Sequence, residues 1–259
     1  RAFHLLDHSE REQPLALQLG GSDPIQLSEA ASIGESYGYN EINLNIGCPS
    51  DRVQSGSFGA VLMKNPKLVA RCCEAMKTTT SIDITVKCRI GVDDQDPQEI
   101  LPEFLGHLTN AGINRVIIHA RKAILKGLSP KDNRSVPPLN YALVLRMKEK
   151  FPNLHISING GVKSLKEANN FLLMGLDGVM IGRSAYRQPA QILSDVDSMI
   201  FEEGEISSPL DVANKMRFYI KKHCESGGKP HQVTRHMMGL FHGLPGAKIW
   251  KQHLSRSGI

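Results

Sequence analysis

Aromatic side chains are scarce in this chain: Phe, Trp and Tyr make up 5% of its 259 residues, with a single Trp. Leu, Ile, Val and Ala must therefore fill most of any core. No apolar run approaches the ~20 residues that a bilayer-spanning helix requires, so no membrane partner is expected. Cysteine is sparse too, and the five present (Cys48, Cys72, Cys73, Cys88 and Cys224) form no CxxC pair. An odd, unpaired set argues against a disulfide framework and against a zinc site. A reduced compartment, the cytoplasm or an organelle, is the expectation, with no metal. The sequence also has no starting methionine, no signal-peptide pattern, no solenoid repeat and no low-complexity tract. What remains is a globular composition, 41% hydrophobic and 22% charged, enough for one barrel plus an appendage. The net charge of +5 is compatible with a polyanion and decides nothing alone.

Six segments share one form, a short apolar or β-branched run closed by a polar residue or glycine: 15–20, 41–47, 84–90, 115–121, 155–161 and 178–183. Runs with so little alternation suit strands of a parallel sheet buried on both faces. Between them lie helical patterns with clear starts. Asp23-Pro24 and Asn65-Pro66 pair an N-cap with a first-turn proline, and Ser164 with Glu167 forms a capping box. Strand–helix alternation gives a parallel α/β sheet. A barrel is favoured over a doubly wound sheet because polar residues close nearly every strand and would ring one face. An eight-stranded (β/α) barrel of the TIM type needs two more units, expected upstream of Arg1. After Val196 the strand signals cease. A helical domain is expected from about Ser207, opened by Ser208-Pro209, with further helices near 231–241 and 247–254. The predicted division is 1–206 and 207–259.

The strand ends supply the chemistry. Gln18 closes the first, Asn43 and Asn45 the second, Lys87 the third, His119 the fourth and Asn159 the fifth. An amide, a lysine and a histidine at one mouth can hydrogen-bond a flat heterocycle. Asn159-Gly160-Gly161 and Gly182-Arg183 each lead toward a helix start, where backbone N–H groups bind phosphate and Arg183 adds a forked cation. Cys48, between Gly47 and Pro49, is the only thiol assigned to chemistry. Cys72, Cys73 and Cys224 are expected as small buried hydrophobes. Cys88 follows Lys87, so strand parity turns it away from the mouth. Segment 122–138 holds Lys122, Lys126, Lys131 and Arg134 against one acid, Asp132. A charge run is commonly a solvated face; beside the mouth, this one also suits a phosphodiester backbone.

The strings GGSDP, INLNIGCPSDRVQSGSFGA, TVKCRIGVDDQD, HARKAILKGLSPKDNRSVPPL, SINGGVKSL, DGVMIGRSAYRQP and TRHMMGLFHGLPGAKIW closely resemble the tRNA-dihydrouridine synthases of the A-type subfamily. The resemblance implies FMN at the barrel mouth, re-reduced by NADPH, held by Gln18, Lys87, His119, Asn159, Gly160, Gly161, Gly182 and Arg183. It implies hydride delivery to C6 of a uridine, with the C5 proton supplied by Cys48. It further implies Asn45 on the base, Arg121, Lys131, Arg134 and Arg235 on the tRNA, a monomer, and uridine 20 with 20a of the D-loop as target. Val61 stands where some members carry a second cysteine, which leaves the role with Cys48. The chemistry is coherent, since an enolate-like anion needs a positioned acid and a flipped base needs cationic surface to hold its RNA. Two rivals stay open on residues alone: an FMN barrel acting on a small molecule, and a tRNA-binding protein without turnover.

Overall fold

The computed structural model describes residues 5–50, 56–204 and 206–256; the 51–55 part of the cysteine motif lies outside them. Six strands, β1 (Ala16–Leu19), β2 (Glu41–Ile46), β3 (Asp83–Arg89), β4 (Arg115–His119), β5 (His155–Asn159) and β6 (Gly178–Met180), form one sheet. They pair in strict chain order, every pair parallel. Helices α1 (Pro24–Ser36), α2 (Pro66–Thr79), α3 (Pro97–Asn110), α4 (Tyr141–Lys150) and α5 (Leu165–Leu173) follow the first five strands in turn. This is the open arc of a β/α barrel.

The helices start where the sequence marks them. Asp23, Asn65 and Asp96 each accept a first-turn backbone N–H through the side chain, just before a proline. That satisfies a donor which the first turn would otherwise leave unbonded. The Ser164 hydroxyl accepts from Glu167 N, as a capping box requires, but the Glu167 carboxylate reaches Lys163 N rather than the cap residue itself.

The strands depart from expectation in one respect: their two faces differ. Ile42, Leu44, Ile46, Ile84, Val86, Cys88, Val116, Ile118, Ile156 and Ile158 face outward into the main core, against Val69, Leu101, Phe104 and Leu105 of the helices. The inward face is mostly polar. Gln18 Nε2 donates to Asn43 Oδ1 and Asn43 Nδ2 to Thr85 Oγ1, both at 2.8 Å. Thr85 Oγ1 donates to Glu41 Oε1 at 2.5 Å, and Arg115 Nη1 to Glu41 Oε2 at 3.1 Å. Apolar sequence runs hid this alternation because Gln18, Asn43 and Thr85 each sit alone between two aliphatic residues. Buried polar groups are tolerable only when bonded, and this ladder bonds them.

Two compact units divide the chain: 1–161 with 171–180, and 162–170 with 181–259. The second therefore takes in residues 181–206 rather than starting near 207. It holds α6 (Arg183–Arg187), α7 (Pro189–Leu193), α8 (Val196–Ile200), α9 (Pro209–Glu225), α10 (Pro230–Thr234) and α11 (Ala247–Arg256). The physical reason is contact between α6–α7 and the last third of the unit. A Cβ on Gly239 would lie 2.2 Å from Arg187 O, and one on Gly243 3.2 Å from Gln191 Nε2. The helix expected over 231–241 stops at Thr234, and tight turns continue to the glycines at 239, 243 and 246. A separate small core joins Ala213, Met237, Leu240 and Leu254, with Trp250 Nε1 donating to Met237 O at 2.9 Å. Among the described residues, no helix is long and apolar enough to cross a membrane.

Candidate functional site

At the C-terminal ends of the strands, register aligns Asn45 with Lys87, and Arg89 with His119, Asn159 and Met180. These residues share the inward face. Lys87 is half-buried, and loss of solvent lowers its pKa from the usual 10.5. His119 is 6% exposed. Asn159 is tied to β6, its Nδ2 donating to Met180 O at 2.8 Å. Gln18 and Asn43 lie one register step lower, bonded to each other, so Asn43 serves the interior ladder rather than the rim.

Gly160 and Gly161 have φ of +106° and +79°, a region costly for residues with a Cβ. Space forbids a side chain as well. A Cβ at 160 would stand 2.4 Å from His119 Cδ2, and one at 161 would stand 2.7 Å from Leu139 Cδ1 and Tyr141 Oη. Tyr141 Oη donates to Gly160 O at 2.6 Å and fixes the turn. The result is bare backbone beside a buried imidazole.

Cys48 sits on a turn held from both sides. Asn45 Oδ1 accepts from Gly47 N at 3.0 Å and Cys48 N at 3.1 Å, and Ala60 N donates to Cys48 O at 2.9 Å. Arg89 Nε donates to Gly47 O at 2.9 Å. The thiol is half-exposed, 3.4 Å from Ser50 Oγ. When ionised, it acts electrostatically on both Lys87 and Arg89, which places it in their field. The remaining thiols differ. Burial pushes Cys88 and Cys73 up to about 12 and Cys72 up to about 11, so all three stay protonated and inert. Cys224, expected to be buried, is half-exposed on α9.

Segment 122–138 is ordered around a residue that sequence reasoning passed over. Asn133 is fully buried; its Oδ1 accepts from Ile124 N at 2.7 Å and its Nδ2 donates to Ile124 O at 2.8 Å and Leu128 O at 3.1 Å. Arg89, the second omission, is 3% exposed and donates through Nη1 to Lys122 O and Asn133 O, both at 2.9 Å. Burial pulls its pKa down to about 10, which leaves it charged at neutral pH. Arg89 thus joins the cysteine turn to the basic loop. Its signal was available: it lies two residues past Lys87 on the same strand, hence on the same face. Nothing in the sequence marked Asn133. Arg121, expected against RNA, is buried at 9% exposure and donates to Pro137 O, so it fastens the loop's far end. Lys126, Lys131 and Arg134 are exposed.

In the second unit, Gly182 and Arg183 are exposed at the start of α6, and Arg235 is exposed just past α10. Among the described residues no cluster of His, Cys, Asp or Glu could hold a metal ion. A hollow of about 460 Å³ opens at the opposite ends of the strands, lined by Thr109, Asn114, Lys150 and Phe151 among others; it gathers no thiol, imidazole or carboxylate.

The model of the dihydrouridine synthase (Dus) family matches residues 1–258. The chain is 52% identical over 254 residues to the tRNA-dihydrouridine(20/20a) synthase of Escherichia coli K12, covering 97% of this chain and 73% of that protein. It is 49% identical over 253 residues to the Shewanella oneidensis protein of that name, covering 97% and 75%. For the Vibrio cholerae protein the identity is 48% over 254 residues, covering 97% and 77%.

Proposed function

The chain belongs to the dihydrouridine synthase family, and from that premise we propose that it reduces uridine to 5,6-dihydrouridine in tRNA, at the 20 and 20a positions for which its relatives are named. FMN is the cofactor in this reading and NADPH its reductant. The residues fit a flavin: bare glycine backbone at 160 and 161, where no Cβ can be placed, lies beside the buried His119, and Lys87 sits desolvated on the same face. Gln18, Lys87, His119, Asn159, Gly160 and Gly161 would hold the ring system, and Gly182 with the exposed Arg183 would serve the phosphate. When bound, FMN supplies the hydride that uracil receives at C6.

The protein's own groups do the rest. Lys87 offers a positive charge with little water around it, where negative charge on a neighbouring ring is most strongly stabilised. Cys48 gives its proton to C5, so hydride and proton together saturate the C5–C6 bond and leave a thiolate. Arg89 and Lys87 lie close enough to stabilise that thiolate. Asn45 both orients the turn and faces the base. Reaching the site requires the uridine to leave its stack, with Lys131, Arg134 and Arg235 holding the RNA backbone; Arg121 acts by fixing the loop.

The observation that carries this reading is the Cys48 turn, pinned between Asn45 and Arg89 in the field of Lys87. Incubating the full chain with FMN, NADPH and unmodified tRNA tests it. Dihydrouridine at position 20 or 20a, found by mass spectrometry of nuclease fragments, is the expected result; unchanged uridine there overturns the proposal.

A further inference from the structure

Tyr186 and Arg235 meet through one histidine. Arg235 Nε donates to His236 Nε2 at 3.0 Å. The other ring nitrogen, Nδ1, faces Tyr186 Oη at 2.9 Å. The Tyr186 and His236 rings also meet nearly edge-on, centroids 5.9 Å apart. All three side chains are exposed, Tyr186 at 60%. Solvent-facing groups gain little stability from such bonds, so the chain is better explained by what it holds in place.

The surroundings name the partner's charge. Segments 178–194 and 226–259, which supply Tyr186 and Arg235, contain no Asp or Glu, whereas 226–259 alone has Lys229, Arg235, Lys248, Lys251 and Arg256. Arg183 and Arg187 flank Tyr186 on α6, both exposed. The framework beneath is rigid, because Gly239 packs against the Arg187 carbonyl with no room for a Cβ. A hydrogen-bonded guanidinium beside an exposed phenol, in segments that carry cations and no acids, matches an RNA strand: phosphate for the arginine, a base or ribose for the ring.

We propose that Tyr186 and His236 are positioning residues that hold the Arg235 guanidinium toward an RNA phosphate, so that α6 and the turn after α10 act as one recognition element. The inference rests on the tRNA reading above. Its test is a binding cycle on the full chain with unmodified tRNA across a KCl series. Arg235→Ala weakens binding and lowers the salt slope by about 0.7 to 0.9. Tyr186→Phe and His236→Ala, which remove no fixed charge, each weaken binding about three- to tenfold by freeing the arginine. Neither adds to the loss in an Arg235→Ala background. His236→Gln, which restores an acceptor for Nε, recovers most of the affinity, a result that a merely structural role would not give. Wild-type affinity in both Tyr186→Phe and His236→Ala, or losses that multiply with that of Arg235→Ala, overturns the proposal. Wild-type protein without salt-dependent tRNA affinity would instead remove the RNA reading itself.

Discussion

Replacing Arg89 by Met should loosen two segments at once, because one buried guanidinium donates to Gly47 O, Lys122 O and Asn133 O. Hydrogen bonds from a charged donor contribute about 1.5–3 kcal/mol each, a gross gain of roughly 4–9 kcal/mol over the three. Against it stands burial: the fall of the Arg89 pKa from 12.5 to about 10 corresponds to about 3 kcal/mol at 1.36 kcal/mol per unit. The bonds win, and the net loss expected for Arg89→Met is about 1–6 kcal/mol. At about 2–4 °C per kcal/mol for a chain of this size, Tm should fall by roughly 2–24 °C. Arg89→Lys keeps the charge, but one ammonium cannot serve three carbonyls on two segments as the planar guanidinium does, so it should recover only part. Differential scanning calorimetry reads the stability. Hydrogen exchange should show faster opening both at 45–48 and at 122–134. A variant melting within about a degree of wild type, with both peptides still protected, would refute the role given to Arg89.

The remaining expectations are narrower. Gly160→Ala forces a Cβ onto His119 at φ +106°; it should cost about 2–4 kcal/mol and abolish flavin absorbance in the purified protein, and a yellow variant of normal Tm would contradict the cradle. Lys87 has a folded pKa below 10.5, so the folded state holds its proton less tightly than the unfolded one. The destabilisation is complete at pH values below the folded pKa and is relieved as pH rises from there to about 10.5. Lys87→Met should therefore raise the Tm of flavin-free protein at neutral pH, by an amount that shrinks in that alkaline window, while removing NADPH-dependent activity; a lower Tm at neutral pH would count against it. Neutralising Lys131 and Arg134 together should weaken tRNA binding and flatten its salt dependence by up to about one per residue, and an unchanged slope would take segment 122–138 out of the RNA interface.

The sequence disclosed most of the scaffold because local rules dominate there. Proline after a capping Asp or Asn marks a helix start whatever surrounds it, and all six strands formed within a few residues of the predicted runs. The polar interior was less legible. Thr85 and Glu41 read as ordinary strand residues until the register aligns Thr85 with Asn43 and brings Arg115 within reach. The same holds at the site. Lys87 and Cys48 stand out by residue type, whereas Asn133 matters only because long-range packing buries it among carbonyls of its own loop. Arg121 lies in the same basic stretch, and only the fold shows that its side chain is buried and donates to the Pro137 carbonyl. Boundaries set by tertiary contact, such as the assignment of Val162–Asn170 and Ile181–Ile259 to one unit, leave no local mark.

Cys48 is the hinge of the whole account, and transient kinetics can isolate its step. Cys48→Ala protein, loaded with FMN and reduced anaerobically by NADPH, is mixed with unmodified tRNA while flavin absorbance is followed. The account predicts normal flavin binding and normal reduction, with reoxidation by tRNA slowed at least about a hundredfold for want of the proton donor. Reoxidation at the wild-type rate, with dihydrouridine formed, would contradict it.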